Sequence, residues 1–91
     1  MLLVELMKKV KNVEPGADIN SDGMGHWTIY NPRKRNPTQT DQPLVLARVF
    51  TKMATWKGDA VTEVVHVKIL GNTGPHKQLR VWMLLWGVPL K

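Results

Sequence analysis

The chain reads as an α+β fold, an N-terminal amphipathic helix packed on a four-stranded antiparallel β-meander, and three observations carry that reading. Apolar residues recur at helical spacing over residues 1–13; runs rich in Val, Thr and aromatic residues fill most of the rest; and Gly, Pro, Asn and Asp separate those runs at turn-forming positions. Ninety-one residues suit a single domain, 1–91, with a real but modest core.

In the first element Leu3, Leu6, Met7, Val10 and Val13 share one side, and Glu5, Lys8, Lys9, Lys11 and Asn12 mostly share the other, which is the pattern of a helix over 1–13. Glu14-Pro15-Gly16 stops it, because the residue before a proline is driven out of the α region. Its apolar stripe is expected to cover the sheet, although a basic amphipathic helix also has the chemistry to dock on a membrane or a partner. Ala17–Gly25 is polar and turn-rich and is expected to be a loop. Its Asp18-Ile-Asn20-Ser-Asp22-Gly23 order matches the opening of a calcium-binding loop, but Thr28–Tyr30, where the bidentate acid should fall, holds no carboxylate.

The first strand is expected at 26–31, from His26-Trp-Thr-Ile-Tyr30. An exposed basic loop over 31–43 follows, with Pro32, Pro37 and Pro43 opposing regular pairing and Arg33, Lys34 and Arg35 projecting from it. Residues 44–55 satisfy two templates. Arg48, Thr51, Lys52 and Thr55 recur at helical spacing, whereas the Val and Thr content and the Lys57-Gly58-Asp59 turn favour a strand paired with 60–70. Strand is the choice made, because pairing Thr51 with Val65, Val49 with Val67 and Ala47 with Ile69 aligns the apolar faces. Gly71-Asn-Thr-Gly-Pro75 then reads as a second turn leading to a last strand at 78–88, where both parities are apolar.

Alternation places Arg48, Phe50 and Lys52 with His66, Lys68, Arg80, Trp82 and Trp86 on one sheet face. That mixed cationic and aromatic face is the main functional lead. The net charge is +6, and it is uneven: residues 1–32 hold three lysines against four acids, giving −1, and residues 33–91 hold ten cations against three acids, giving +7. A basic surface with interleaved rings predicts a nucleic-acid partner, RNA or DNA, held by phosphate contacts and some stacking with little sequence preference. Arg33, Lys34, Arg35, Arg48, Lys52, Lys68 and Arg80 are the candidate nucleic-acid contacts. Phe50, Trp82 and Trp86 are candidates for stacking or for the seam of a homodimer or higher oligomer.

The alternative reading is an interaction module that self-assembles through an aromatic sheet face, and the third is binding to an anionic membrane surface. No cysteine is present, which removes disulfides and thiolate chemistry and fits a cytoplasmic or nuclear setting. No catalytic frame, metal-ligand spacing or phosphate-binding glycine loop is apparent, so no enzyme and no cofactor is expected. No signal peptide or membrane span is expected either, since the longest apolar run is Val81–Val88. The small size without catalytic groups suits an accessory protein of a virus, phage or mobile element.

Overall fold

A computed structural model describes all 91 residues. The element order is α1 (Leu3–Val13), β1 (Asp18–Ser21), β2 (His26–Arg35), β3 (Pro43–Trp56), β4 (Asp59–Ile69) and α2 (Gly74–Leu85). The strands lie side by side in the order β1-β2-β3-β4 with every neighbouring pair antiparallel. The N-terminal helix and the four-stranded meander of an α+β fold are therefore both present. Sixteen buried apolar residues form one core, from Leu6 and Val10 of α1 and Leu79 and Met83 of α2 to Ile29, Leu46, Val49 and Val67 of the sheet.

α1 buries Leu3, Leu6, Met7 and Val10, four of the five residues its spacing places on one side, and leaves Val13 half-buried. Its entry is fixed to β4, where the Val64 N–H donates to the Met1 carbonyl at 2.9 Å. Its exit is fixed at Glu14, whose buried carboxylate accepts from Asn31 Nδ2 at 3.0 Å and lies 2.7 Å from Lys34 Nζ.

Residues 43–56 are strand throughout, so the helical alternative for 44–55 is excluded. Lys57 and Gly58 both adopt left-handed conformations, with φ of 52° and 84°, and join β3 to β4 in a tight turn. Paired left-handed residues match the twist of the strands they connect. Ala47 pairs with Ile69 and Val49 with Val67, as expected. Thr51 pairs with Val64 and not with Val65, because the register shifts between Phe50 and Thr51; Val65 is the extra residue of this bulge and stays exposed.

Three element assignments need correction. Residues 78–88 are not a strand: Gly74–Leu85 is α2. The Gly71–Pro75 break is a helix start. Thr73 is the N-cap, Pro75 occupies the first turn, and Thr73 N–H and Oγ1 lie 3.3 and 2.6 Å from His76 Nδ1. His76 Nε2 reaches the Val45 carbonyl at 2.7 Å, so the tautomer that satisfies both ends carries its proton on Nε2. The buried positions His76, Leu79 and Met83 have helical spacing, but exposed Val81, Leu84 and Leu85 fill the other positions with apolar residues and mask the period.

Part of the expected Ala17–Gly25 loop is β1, which supplies the fourth strand. Its sequence is polar, and pairing with β2 through Asp18↔Tyr30 to Ser21↔Trp27 imposes the strand on it. The expected basic loop 31–43 shrinks to 36–42, since β2 runs on to Arg35. Pro32 is tolerated because it falls where the β2–β3 register shifts between Asn31 and Arg35.

The outer edge of β4 is partly covered by the two ends of the chain. Leu2 bridges Glu63, while the Val67 N–H donates to the Pro89 carbonyl at 2.8 Å and the Lys91 N–H donates to the Val67 carbonyl at 3.0 Å. Capping an edge in this way blunts strand addition by other chains.

Candidate nucleic-acid interface

Alternation along the three longer strands decides which side chains share the face turned away from the helices. Trp27, Ile29, Ala47, Val49, Val67 and Ile69 point to the core, and Ile29, Ala47, Val49, Val67 and Ile69 are buried. The residues between them point outward: His26, Thr28 and Tyr30 from β2, Arg48, Phe50 and Lys52 from β3, and His66 and Lys68 from β4. Register then sets these in rows. His26, Phe50 and His66 are cross-strand neighbours, and Thr28, Arg48 and Lys68 form the adjacent row.

Phe50 sits at the centre of the first row. The His66 ring stacks on it with centroids 4.2 Å apart and planes 22° from parallel, and the His26 ring meets it edge-on at 4.7 Å and 71°. The Arg48 guanidinium lies 5.7 Å from the Phe50 centroid, within range of a cation–π contact. The three rings are half-buried, with Arg48 and Lys68 exposed beside them. The result is a shallow aromatic strip flanked by cations.

The β1–β2 turn adds one acid to this strip. Asp22 Oδ1 accepts from the Met24 N–H at 2.9 Å and from the His26 N–H at 3.2 Å, and Oδ2 lies 3.1 Å from Arg48 Nη2. The Met24 hydrogen bond is the leading cause that holds the Asp22 carboxyl below its ordinary value of 3.8, with Arg48 and His26 adding to it. His26 Nδ1 is 3.2 Å from both Arg48 Nη2 and Asp22 Oδ2, so it accepts from the guanidinium when unprotonated and donates to the carboxylate when protonated. Desolvation, followed by the positive charge of Lys91 and of His26, pushes His66 below its ordinary 6.5. Lys68 and Lys91 have no carboxylate partner, whereas Lys52 is 4.0 Å from Glu63. The strip is thus net positive and short of anions.

Of the candidate contacts, Arg48, Phe50, Lys52 and Lys68 come together on this face. Arg33, Lys34 and Arg35 do not join them. Arg35 is nine residues along β2 from His26, about 30 Å at strand spacing, and Lys34 is engaged with buried Glu14. Arg80 and Trp82 belong to α2 and Trp86 is its C-cap, on the opposite side of the sheet, so the expected aromatic sheet face containing the tryptophans does not form. Trp82 and Trp86 instead stack on each other at 6.2 Å, and Lys9 lies 5.8 Å from the Trp86 ring.

His26 and Asp22 are members that sequence reasoning missed. For His26 a signal existed in the parity of the 26–30 run. For Asp22 none did, because its place depends on the fold of the β1–β2 turn. The calcium-like run has its first residues in β1, and no group of three or more acids or histidines is placed to hold a metal ion. No family model, curated protein or solved structure matches this chain.

Proposed function

We propose that the chain is a nucleic-acid-binding protein without catalytic activity, and that the open sheet face holds an unpaired stretch of RNA or DNA. The observation that carries this reading is the His26–Phe50–His66 row with Arg48 and Lys68 alongside. Flat rings on a sheet accept splayed bases by stacking, which needs no base identity, while adjacent cations track the phosphates. A paired duplex hides its base faces and would use the cations alone, so the half-exposed rings favour single strands.

The test is fluorescence anisotropy with labelled oligo(U), oligo(dT) and a duplex of equal length at low salt. Single strands are expected to bind more tightly than the duplex, with the logarithm of affinity falling by about 0.7 per phosphate contacted for each decade of salt. Phe50→Ala is expected to cost about 1–3 kcal/mol, and Lys68→Gln to reduce the salt slope by roughly one contact. Absence of binding at low salt, or unchanged affinity in both variants, removes the proposal.

A further inference from the structure

We infer that the C-terminal half of α2, on the side of the molecule opposite the sheet strip, docks on an anionic lipid surface. Val81, Trp82, Leu84 and Leu85 are 56%, 38%, 61% and 72% exposed, and they adjoin the half-buried, stacked Trp86. None of the four is needed by the core, which α2 meets through His76, Leu79 and Met83. A contiguous apolar patch of this kind marks an interaction site, where single scattered apolar residues would not.

Cations frame the patch. Lys77 and Arg80 precede it on the same helix, and Lys9 of α1 lies over Trp86. None of these three has a carboxylate within ion-pair distance. Trp and Leu at the tip with Lys and Arg around them match the boundary between headgroups and acyl chains: rings settle at headgroup depth, leucines reach below, and cations meet anionic headgroups. No helix of the molecule is long and apolar enough to cross a membrane, so the contact is interfacial.

A second copy of the chain fits the same face less well. A two-fold contact through this face would bring both copies of Lys9, Lys77 and Arg80 into one interface, a like-charge cost that an anionic lipid surface does not impose.

The experiment is co-sedimentation of the full chain with large unilamellar vesicles of phosphatidylcholine, with and without phosphatidylserine. The expected result is partition onto the phosphatidylserine vesicles at least about tenfold above the neutral ones, since each cation near the surface contributes roughly fivefold. A blue shift of tryptophan emission should accompany it. Leu84→Glu/Leu85→Glu is expected to lower the partition at least about tenfold, and Lys77→Gln/Arg80→Gln to lower it only on the anionic vesicles. Both pairs are exposed, so circular dichroism should match the parent. No partition, equal partition onto both vesicle types, or variants that behave as the parent overturn the inference. So does a dimer in sedimentation equilibrium that Leu84→Glu/Leu85→Glu dissolves, which assigns the face to a second copy.

Discussion

Phe50 has an imidazole on either side and a guanidinium above, and its neighbours make the strip responsive to pH. Because His66 is held below 6.5, the unfolded chain takes up this proton first as pH falls. The stability tied to neutral His66 is therefore complete above the unfolded value and is lost as pH drops through the folded one. Asp22, also depressed, acts in the same direction further into acid. The urea midpoint is expected to fall between pH 7 and pH 5, and His66→Asn to flatten that fall. Binding runs the other way: a bound phosphate favours the protonated ring, so affinity for oligo(U) should rise over the same interval and lose that rise in His66→Asn. Affinity independent of pH in the parent would place His66 outside the contact. Lys34 illustrates the limit of a charge count. It read as a ligand contact, yet it is engaged with a buried carboxylate, which depends on where α1 ends. Glu14→Ala removes one of the two acceptors of the buried Asn31 Nδ2, leaving it the Pro15 carbonyl, and should cost about 1–3 kcal/mol in denaturant titration. Lys34→Ala leaves the buried Glu14 carboxylate without its cation and should cost at least as much, with oligonucleotide affinity nearly unchanged.

At the scale of the element, α2 depends on how its first turn is held. Gly71 lies against the His76 ring, where an added Cβ would come within 2.5 Å of the imidazole, while a Cβ at Gly74 meets nothing within 4 Å. Gly71→Ala is therefore expected to lower Tm by displacing His76 from Thr73 and Val45. Gly74→Ala meets no side chain across the fold, but a Cβ just before Pro75 is disfavoured in the α region, so it should bring no stabilisation and should change Tm less than Gly71→Ala does. Thermal melts followed at 222 nm compare the two, and equal effects would contradict this account of the helix start. The misreading of this segment has a physical origin. A helix that leaves Val81, Leu84 and Leu85 in solvent lacks a clean apolar stripe, so in the sequence Gly71–Pro75 carries the signature of a turn between strands and its capping role does not show. The β3–β4 hairpin was legible because Lys57-Gly58 and the facing apolar positions set the same register. Its bulge at Val65 was not, since alternation continues across it.

For the whole molecule the two candidate surfaces lie on opposite sides of one core, and sites this far apart act independently unless they share partners. Phe50→Ala should leave vesicle partition unchanged, and Leu84→Glu/Leu85→Glu should leave oligonucleotide affinity unchanged; cross-effects in anisotropy and sedimentation would mean that one surface serves both ligands. The sequence by itself determined the amphipathic first helix, the three longer strands apart from the run of β2 beyond Asn31, their antiparallel order and the pairing of Val49 with Val67, because each follows from spacing and turn chemistry within a few residues. Its alternation also placed Arg48, Phe50, His66 and Lys68 on one face. Only the tertiary structure decided that polar Asp18–Ser21 completes the sheet, that Arg80 and the two stacked tryptophans leave it, and that Asp22 and His26 join Arg48. Those outcomes rest on hydrogen bonds and packing between segments distant in the chain, where an unpaired strand edge or a buried carboxylate takes whichever partner the fold brings to it.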